Sequence, residues 1–136
     1  MAKIRNPEAV LRELRAKDTY HSVCVPGTRI TAQNIDSLTE RHGYFLAIEW
    51  KSVEWTKTEI GERRTMRALV RQPNWRVLFV QYHPQTLEVI AILRWEDKKL
   101  LGSSSEDLLN LRNEWFNAVN KLPNFLDRYP RRVLTL

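Results

Sequence analysis

Apolar positions change their period several times along this chain, and each change marks an element. Asn6-Pro7-Glu8 reads as an N-cap, a first-turn proline and an early acid, and Val10, Leu11 and Leu14 follow at helical spacing. This predicts a first helix over about residues 7–17. A stretch rich in β-branched residues then predicts strands over residues 20–25 and 29–39, separated by a turn at Pro26-Gly27. Arg41-His42-Gly43 supplies the glycine of a hairpin turn leading into a strand over residues 44–51. From Glu59 the period becomes helical: Ile60, Met66, Leu69 and Val70 make an apolar face, Glu62, Arg63, Arg64 and Arg67 take polar positions, and Gln72-Pro73-Asn74 ends the helix.

Two further strands are predicted over residues 75–82 and 87–95, joined by His83-Pro84-Gln85-Thr86. A polar break follows at residues 102–105, where Ser105, with Glu106 and Asp107 beside it, is placed to cap a last helix running to about residue 121. Residues 127–136 carry no clear period. The order is helix, strands paired as a hairpin, helix, strands and a closing helix. It predicts an α/β architecture in which a mixed sheet is flanked by helices.

With 136 residues the chain is the size of one ordinary domain, so a single domain over residues 1–136 is expected. Hydrophobic residues at 43% and charged residues at 28% are the balance of a soluble globular protein and not of a disordered one. No apolar run approaches the roughly 20 residues that cross a bilayer, and residues 1–7 lack the apolar segment of a secretory signal, so the expectation is a cytoplasmic protein without a membrane partner. Cys24 is the only cysteine, which rules out an intrachain disulfide. Together with His21, His42 and His83 it gives no zinc-ligand spacing. The formal charge of +6 suits a protein that neutralises phosphates.

The chemistry concentrates in Glu49-Trp50-Lys51. Side chains two apart on a strand share a face, so Glu49 and Lys51 stand side by side while Trp50 joins Tyr44, Leu46 and Ile48 on the other face. A carboxylate and an ammonium on a largely apolar strand are costly to bury unless they are paired or hold a cation. Asp36 lies on the preceding predicted strand, with the turn at His42-Gly43 near the midpoint between it and Glu49. Folding the hairpin brings Asp36 opposite or diagonal to Glu49. Two carboxylates so placed repel, and a shared divalent cation satisfies them; hard oxygen ligands without histidine or thiol favour magnesium or manganese.

Asp36, a hairpin, then Phe45-Leu46-Ala47-Ile48-Glu49-Trp50-Lys51 and a helix opening at Gly61 resemble the PD-(D/E)xK nuclease superfamily. Within it the chain is similar to compact phage and archaeal endonucleases, Holliday-junction resolvases among them. The resemblance covers about residues 7–95 and implies a restriction-endonuclease-like αβββαβ core. It also implies Asp36 and Glu49 as metal ligands, the backbone carbonyl of Trp50 as a further ligand, and Lys51 as the group that orients or activates the attacking water. Ile35 stands where the proline of the family's name would be, and Glu62 where relatives often carry a glutamine. Some relatives use a glutamate on the first helix; Glu8 and Glu13 both flank the apolar face there, and either fits.

The implied activity is metal-dependent hydrolysis of DNA phosphodiester bonds, on plain duplex or on branched, Holliday-junction or flap structures. A dimer accords with symmetric cutting. Arg63, Arg67 and Arg71 fall along one side of a helix, where they serve either as a solvated face or as a ridge that tracks phosphates. Trp55 and Lys57, in the polar segment after the catalytic strand, suit either packing or contact with an unpaired base. The competing readings are a catalytically silent nucleic-acid-binding module of the same fold and a protein-interaction domain with a basic surface.

Overall fold

The computed structural model describes residues 6–29, 32, 35–52 and 60–128, with the side chains of residues 60–63 outside that description. The chain divides into two compact units, Met1–Asn34 and Ile35–Leu136. The first contains helix α1 (Pro7–Ser22), whose N-cap Asn6 accepts a hydrogen bond from the Ala9 N–H at 3.1 Å, with Pro7 in the first turn as the sequence predicts. No residue of α1 is buried.

The second unit is a five-stranded mixed sheet with helices on both faces. In chain order it comprises β1 (Ser37–Arg41), β2 (Tyr44–Ser52), α2 (Ile60–Val70), β3 (Trp75–Tyr82), β4 (Val89–Arg94), β5 (Leu100–Gly102), α3 (Ser105–Asn120) and the short α4 (Phe125–Arg128). The strands lie side by side in sequence order. All neighbouring pairs are antiparallel except β2 and β3, which run parallel through the α2 crossover. Strands covered on both faces read as continuous apolar runs. Leu46-Ala47-Ile48 in β2 and Val77-Leu78-Phe79-Val80 in β3 are such runs, and all seven residues are buried.

Alternation along these strands divides the core in two. Leu46, Ile48, Leu78, Val80, Val89 and Ile92 meet Leu108 of α3, with Trp50, Leu111 and Trp115 packed around them. On the opposite face Ala47, Val77, Phe79 and Trp95 meet Met66 of α2, joined by Ile35, Leu69 and Val70. Trp50 therefore shares the face of Leu46 and Ile48, as strand alternation predicts, and Glu49 and Lys51 belong to the α2 side.

The β1–β2 hairpin turns at His42 and Gly43, whose φ values of 54° and 78° are both positive, as the two-residue turn that matches strand twist requires. The Gly43 N–H donates to Glu40 Oε1 at 2.8 Å and the Phe125 N–H donates to the His42 carbonyl at 2.8 Å, which ties α4 to the turn. α3 starts at its N-cap Ser104, one residue before the expected Ser105; Ser104 Oγ accepts from the Asp107 N–H and Asp107 Oδ2 accepts from the Ser103 N–H. The Ser103 N–H foremost, and the Ser104 side chain after it, hold the Asp107 carboxyl below its ordinary pKa by hydrogen bonding its charged form. The stabilisation is present above the usual carboxylate range and is lost as pH falls through the lowered value.

Several expected boundaries move. α1 runs on to Ser22 and absorbs Tyr20 and His21, so the strand expected over residues 20–25 does not form. Helix propagation adds a hydrogen bond per residue, whereas an isolated strand has no neighbour to pair with. Of the strand expected over residues 29–39, residues 37–39 fall in β1 and Asp36 sits in a bend just before it, while residues 30, 31, 33 and 34 lie outside the described residues. Among the described residues two strands precede α2, where the αβββαβ order has three. β5 falls at the edge of the predicted polar break.

Gly43→Ala should destabilise the chain by about 1–3 kcal/mol, because a positive φ disfavours any residue with a Cβ. The new Cβ would also stand 3.1 Å from the Phe125 Cβ. A thermal melt should show the midpoint falling by several degrees; an unchanged midpoint would mean that the turn does not hold the β1–β2 register.

Candidate functional site

β2 is the central support of the site because it is paired on both edges and covered on both faces. Ser37 pairs with Ile48 in the β1–β2 ladder, so regular pairing extended by one residue would set Asp36 opposite Glu49. The bend at Asp36 turns its carboxylate toward the edge of β2 instead, where Oδ2 accepts a hydrogen bond from the Trp50 N–H at 2.9 Å. Next to it Ser37 Oγ accepts from Trp50 Nε1 at 3.0 Å. Two consecutive residues of the chain thus grip the backbone and the ring of Trp50. With Trp50 held, Glu49 and Lys51 on either side of it are committed to the opposite face.

Glu49 is 2% exposed and is the only charged side chain among the described residues that is buried. Lys51 is half-buried beside it. Across the β2–β3 ladder their partners are Phe79 and Gln81. A carboxylate in such a place is chemically special, because burial penalises its charged form and makes its energy depend strongly on nearby positive charge. In a strand the N–H and C=O of one residue point to the same side. The carbonyl of Trp50 therefore faces the edge where Asp36 lies, and not β3.

The candidate donors are thus Asp36, Glu49 and the Trp50 carbonyl, all of them oxygens. Among the described residues no group of three or more His, Cys, Asp or Glu side chains gathers in one place. Cys24 is exposed and His21 lies in the last turn of α1. Glu8 and Glu13 are exposed on α1 in the first unit, and Glu13 forms an i,i+4 ion pair with Lys17 at 3.6 Å. Trp55 and Lys57 lie outside the described residues, as do the side chains of Glu62 and Arg63. Arg67 is exposed on α2 and Arg71 is exposed in the turn that follows it.

A depression of about 670 Å³ opens on the other face, between the sheet and α3, lined by Tyr44, Trp75, Arg76, Glu114 and Trp115 among others. None of Asp36, Glu49 or Lys51 lines it. Its polar lining residues, Gln72, Asn74, Arg76, Glu96 and Glu114, are separate from the Asp36, Glu49 and Lys51 group. A second depression, on the α2 side, brings Arg67 and Arg71 together with Lys98, a residue that no sequence pattern singled out. Lys98 reaches it through the turn between β4 and β5, a placement that depends on the whole sheet. Compared with protein-family models, with curated proteins and with solved structures, the chain matches none.

The grip on Trp50 can be tested apart from any activity. Asp36→Asn keeps an oxygen that accepts from the Trp50 N–H, whereas Asp36→Ala does not, and hydrogen bonds of this kind contribute about 1–2 kcal/mol. The alanine variant should melt earlier than the asparagine variant and exchange its Trp50 amide hydrogen faster. Identical melting and exchange in the two variants would show that the bond does not order the edge.

Proposed function

We propose that the protein is a metal-dependent nuclease of the PD-(D/E)xK type that hydrolyses DNA phosphodiester bonds, built on a restriction-endonuclease-like core and acting in the cytoplasm. The observation that carries this reading is the buried Glu49 beside Lys51 on one face of a central strand, with Asp36 tied to the residue between them. The net charge of +6 and the exposed arginines of the α2 segment accord with a polyanionic substrate.

The donor set suits magnesium or manganese, which prefer hard oxygen ligands. Asp36 and Glu49 would hold the ion with the Trp50 carbonyl as a third donor. When bound, a divalent cation lowers the pKa of a water molecule and offsets charge on the phosphate oxygens. Lys51 contributes a positive charge where negative charge develops on the phosphate, and its half-buried position strengthens that interaction by excluding part of the competing water. Trp50 contributes rigidity: a strand residue fixed at its N–H and at its ring keeps its neighbours from rotating out of register. Two copies of the chain would provide the paired centres that symmetric cutting of a branched substrate requires.

Cleavage of supercoiled plasmid, four-way junction, flap and duplex substrates should require magnesium or manganese, and calcium should support binding with little turnover. Asp36→Asn and Glu49→Gln should lose cleavage and metal affinity together while still binding DNA. Lys51→Ala should keep most of the metal affinity and slow single-turnover cleavage by at least ~10²-fold. Cleavage in excess chelator, or parental rates in both Glu49→Gln and Lys51→Ala, would overturn the reading. Tight DNA binding by a parental protein that never cuts would assign it instead to a silent binding module.

A further inference from the structure

On the α2 side of the sheet, the end of α2 and the turn between β4 and β5 wall a depression of about 520 Å³, lined by Arg67, Val70, Arg71, Trp95, Glu96 and Lys98. Three of these six residues are cations. Lys98 is held in place by the turn. Its φ is 58°, a left-handed conformation that disfavours any residue with a Cβ. Its N–H donates to the Arg94 carbonyl at 2.8 Å. Its Nζ donates to the Trp95 carbonyl at 2.6 Å and lies 4.0 Å from the centroid of the Trp95 ring, with the Phe79 ring centroid at 5.7 Å. An ammonium has three donor hydrogens, and this carbonyl takes one.

The acids nearby are engaged with other residues. Glu96 lies 3.9 Å from Arg76 and 3.7 Å from Arg94, and Asp97 is bound by Arg94 through two hydrogen bonds. Burial lowers the Lys98 pKa while Glu96 and Asp97 pull it upward. A partly desolvated ammonium gains more from an anionic ligand than a fully hydrated one does. The dipole at the C-terminus of α2 amounts to about half a negative charge, which Arg67 in the last turn already answers. Arg71 and Lys98 exceed what the helix end requires.

We propose that this depression binds a phosphate of a nucleic-acid strand, clamped by Arg67, Arg71 and Lys98. The proposal rests on the nucleic-acid substrate of the reading above and not on its cleavage chemistry. Phe79, under Lys98, is the ladder partner of Glu49 and shares its face. One strand spacing therefore separates the two, which puts the clamp on the order of 10 Å from Glu49. That is a few nucleotide steps along a strand. A phosphate anchored there would fix how far a strand reaches past the buried carboxylate.

The experiment is a binding titration in excess chelator, where no metal-dependent cutting intervenes, with a short fluorescent single-stranded DNA across a range of salt concentrations. Arg71→Gln and Lys98→Gly should each weaken binding about tenfold at ~0.1 M salt and make the dependence of log affinity on log salt shallower by about 0.7. Glycine adopts the positive φ freely, which offsets the loss of the Nζ contacts with Trp95, and a thermal melt run beside the titration checks that Lys98→Gly is folded at the titration temperature. Lys98→Arg should retain binding. Arg112→Gln removes an exposed charge from α3 and serves as the control; it should bind as the parent does. An oligonucleotide with uncharged methylphosphonate linkages should not distinguish the parent from Arg71→Gln and Lys98→Gly. The proposal is overturned if Arg71→Gln and Lys98→Gly bind like Arg112→Gln, or if inorganic phosphate occupies the depression while oligonucleotide affinity is unchanged in both variants. A protein that shows the expected binding losses yet cuts no substrate keeps the clamp and loses the nuclease reading; one that cuts but shows no binding losses does the reverse.

Discussion

Two parallel strands cannot be joined by a tight turn, so the chain between β2 and β3 must cross a face of the sheet, and α2 makes that crossing. The rest of the second unit follows from this constraint. A helix laid over one face requires that face to be apolar, which Ala47, Val77 and Phe79 provide beneath Met66. The other face, carrying Leu46, Ile48, Leu78 and Val80, needs a second cover, and α3 supplies it through Leu108. β2 and β3 are thereby buried on both sides. Glu49 enters the interior because it occupies the next position on the α2 face after Ala47.

The hairpin provides the second constraint. His42 and Gly43 determine how β1 returns along β2, and the resulting register places Ser37 opposite Ile48. One residue earlier the ladder stops, and the backbone of Trp50 would lack a strand partner on that side. Asp36 provides the acceptor for its N–H, and Ser37 does the same for the indole. Unpaired backbone groups at the end of a ladder must find partners or stay hydrated. Here the partner is a side-chain carboxyl, bonded to the residue next to the buried Glu49. Structural pairing and candidate chemistry thus share the same side chain.

Charge on the α2 side is arranged unevenly. Glu96 and Asp97 are taken up by Arg76 and Arg94, while Lys98 rests on Trp95 and lines the same depression as Arg67 and Arg71. Like charges held close together repel, and exposed pairs of opposite charge contribute little to stability. Stability alone would scatter these cations. Arg67, Arg71 and Lys98 instead line one depression on the face that also buries Glu49.

Much of this was legible in the sequence because it depends on local periods. The alternation of Tyr44-Phe45-Leu46-Ala47-Ile48-Glu49-Trp50-Lys51 determined which residues share a face, and His42-Gly43 marked the turn before them. The helical spacing of Met66, Leu69 and Val70 determined the buried side of α2, and Trp75 to Tyr82 announced a core strand. Tertiary structure decided what no local period encodes. Tyr20 and His21 carry strand propensity but continue a helix, since a strand exists only where a neighbour pairs with it. Asp36 meets the Trp50 N–H and not a strand partner, because the ladder ends one residue later. Lys98 joins Arg67 and Arg71 only because β3 and β4 pair beneath α2. Periodicity reports the direction in which a side chain points; which distant side chain it meets depends on pairing and packing of the whole sheet.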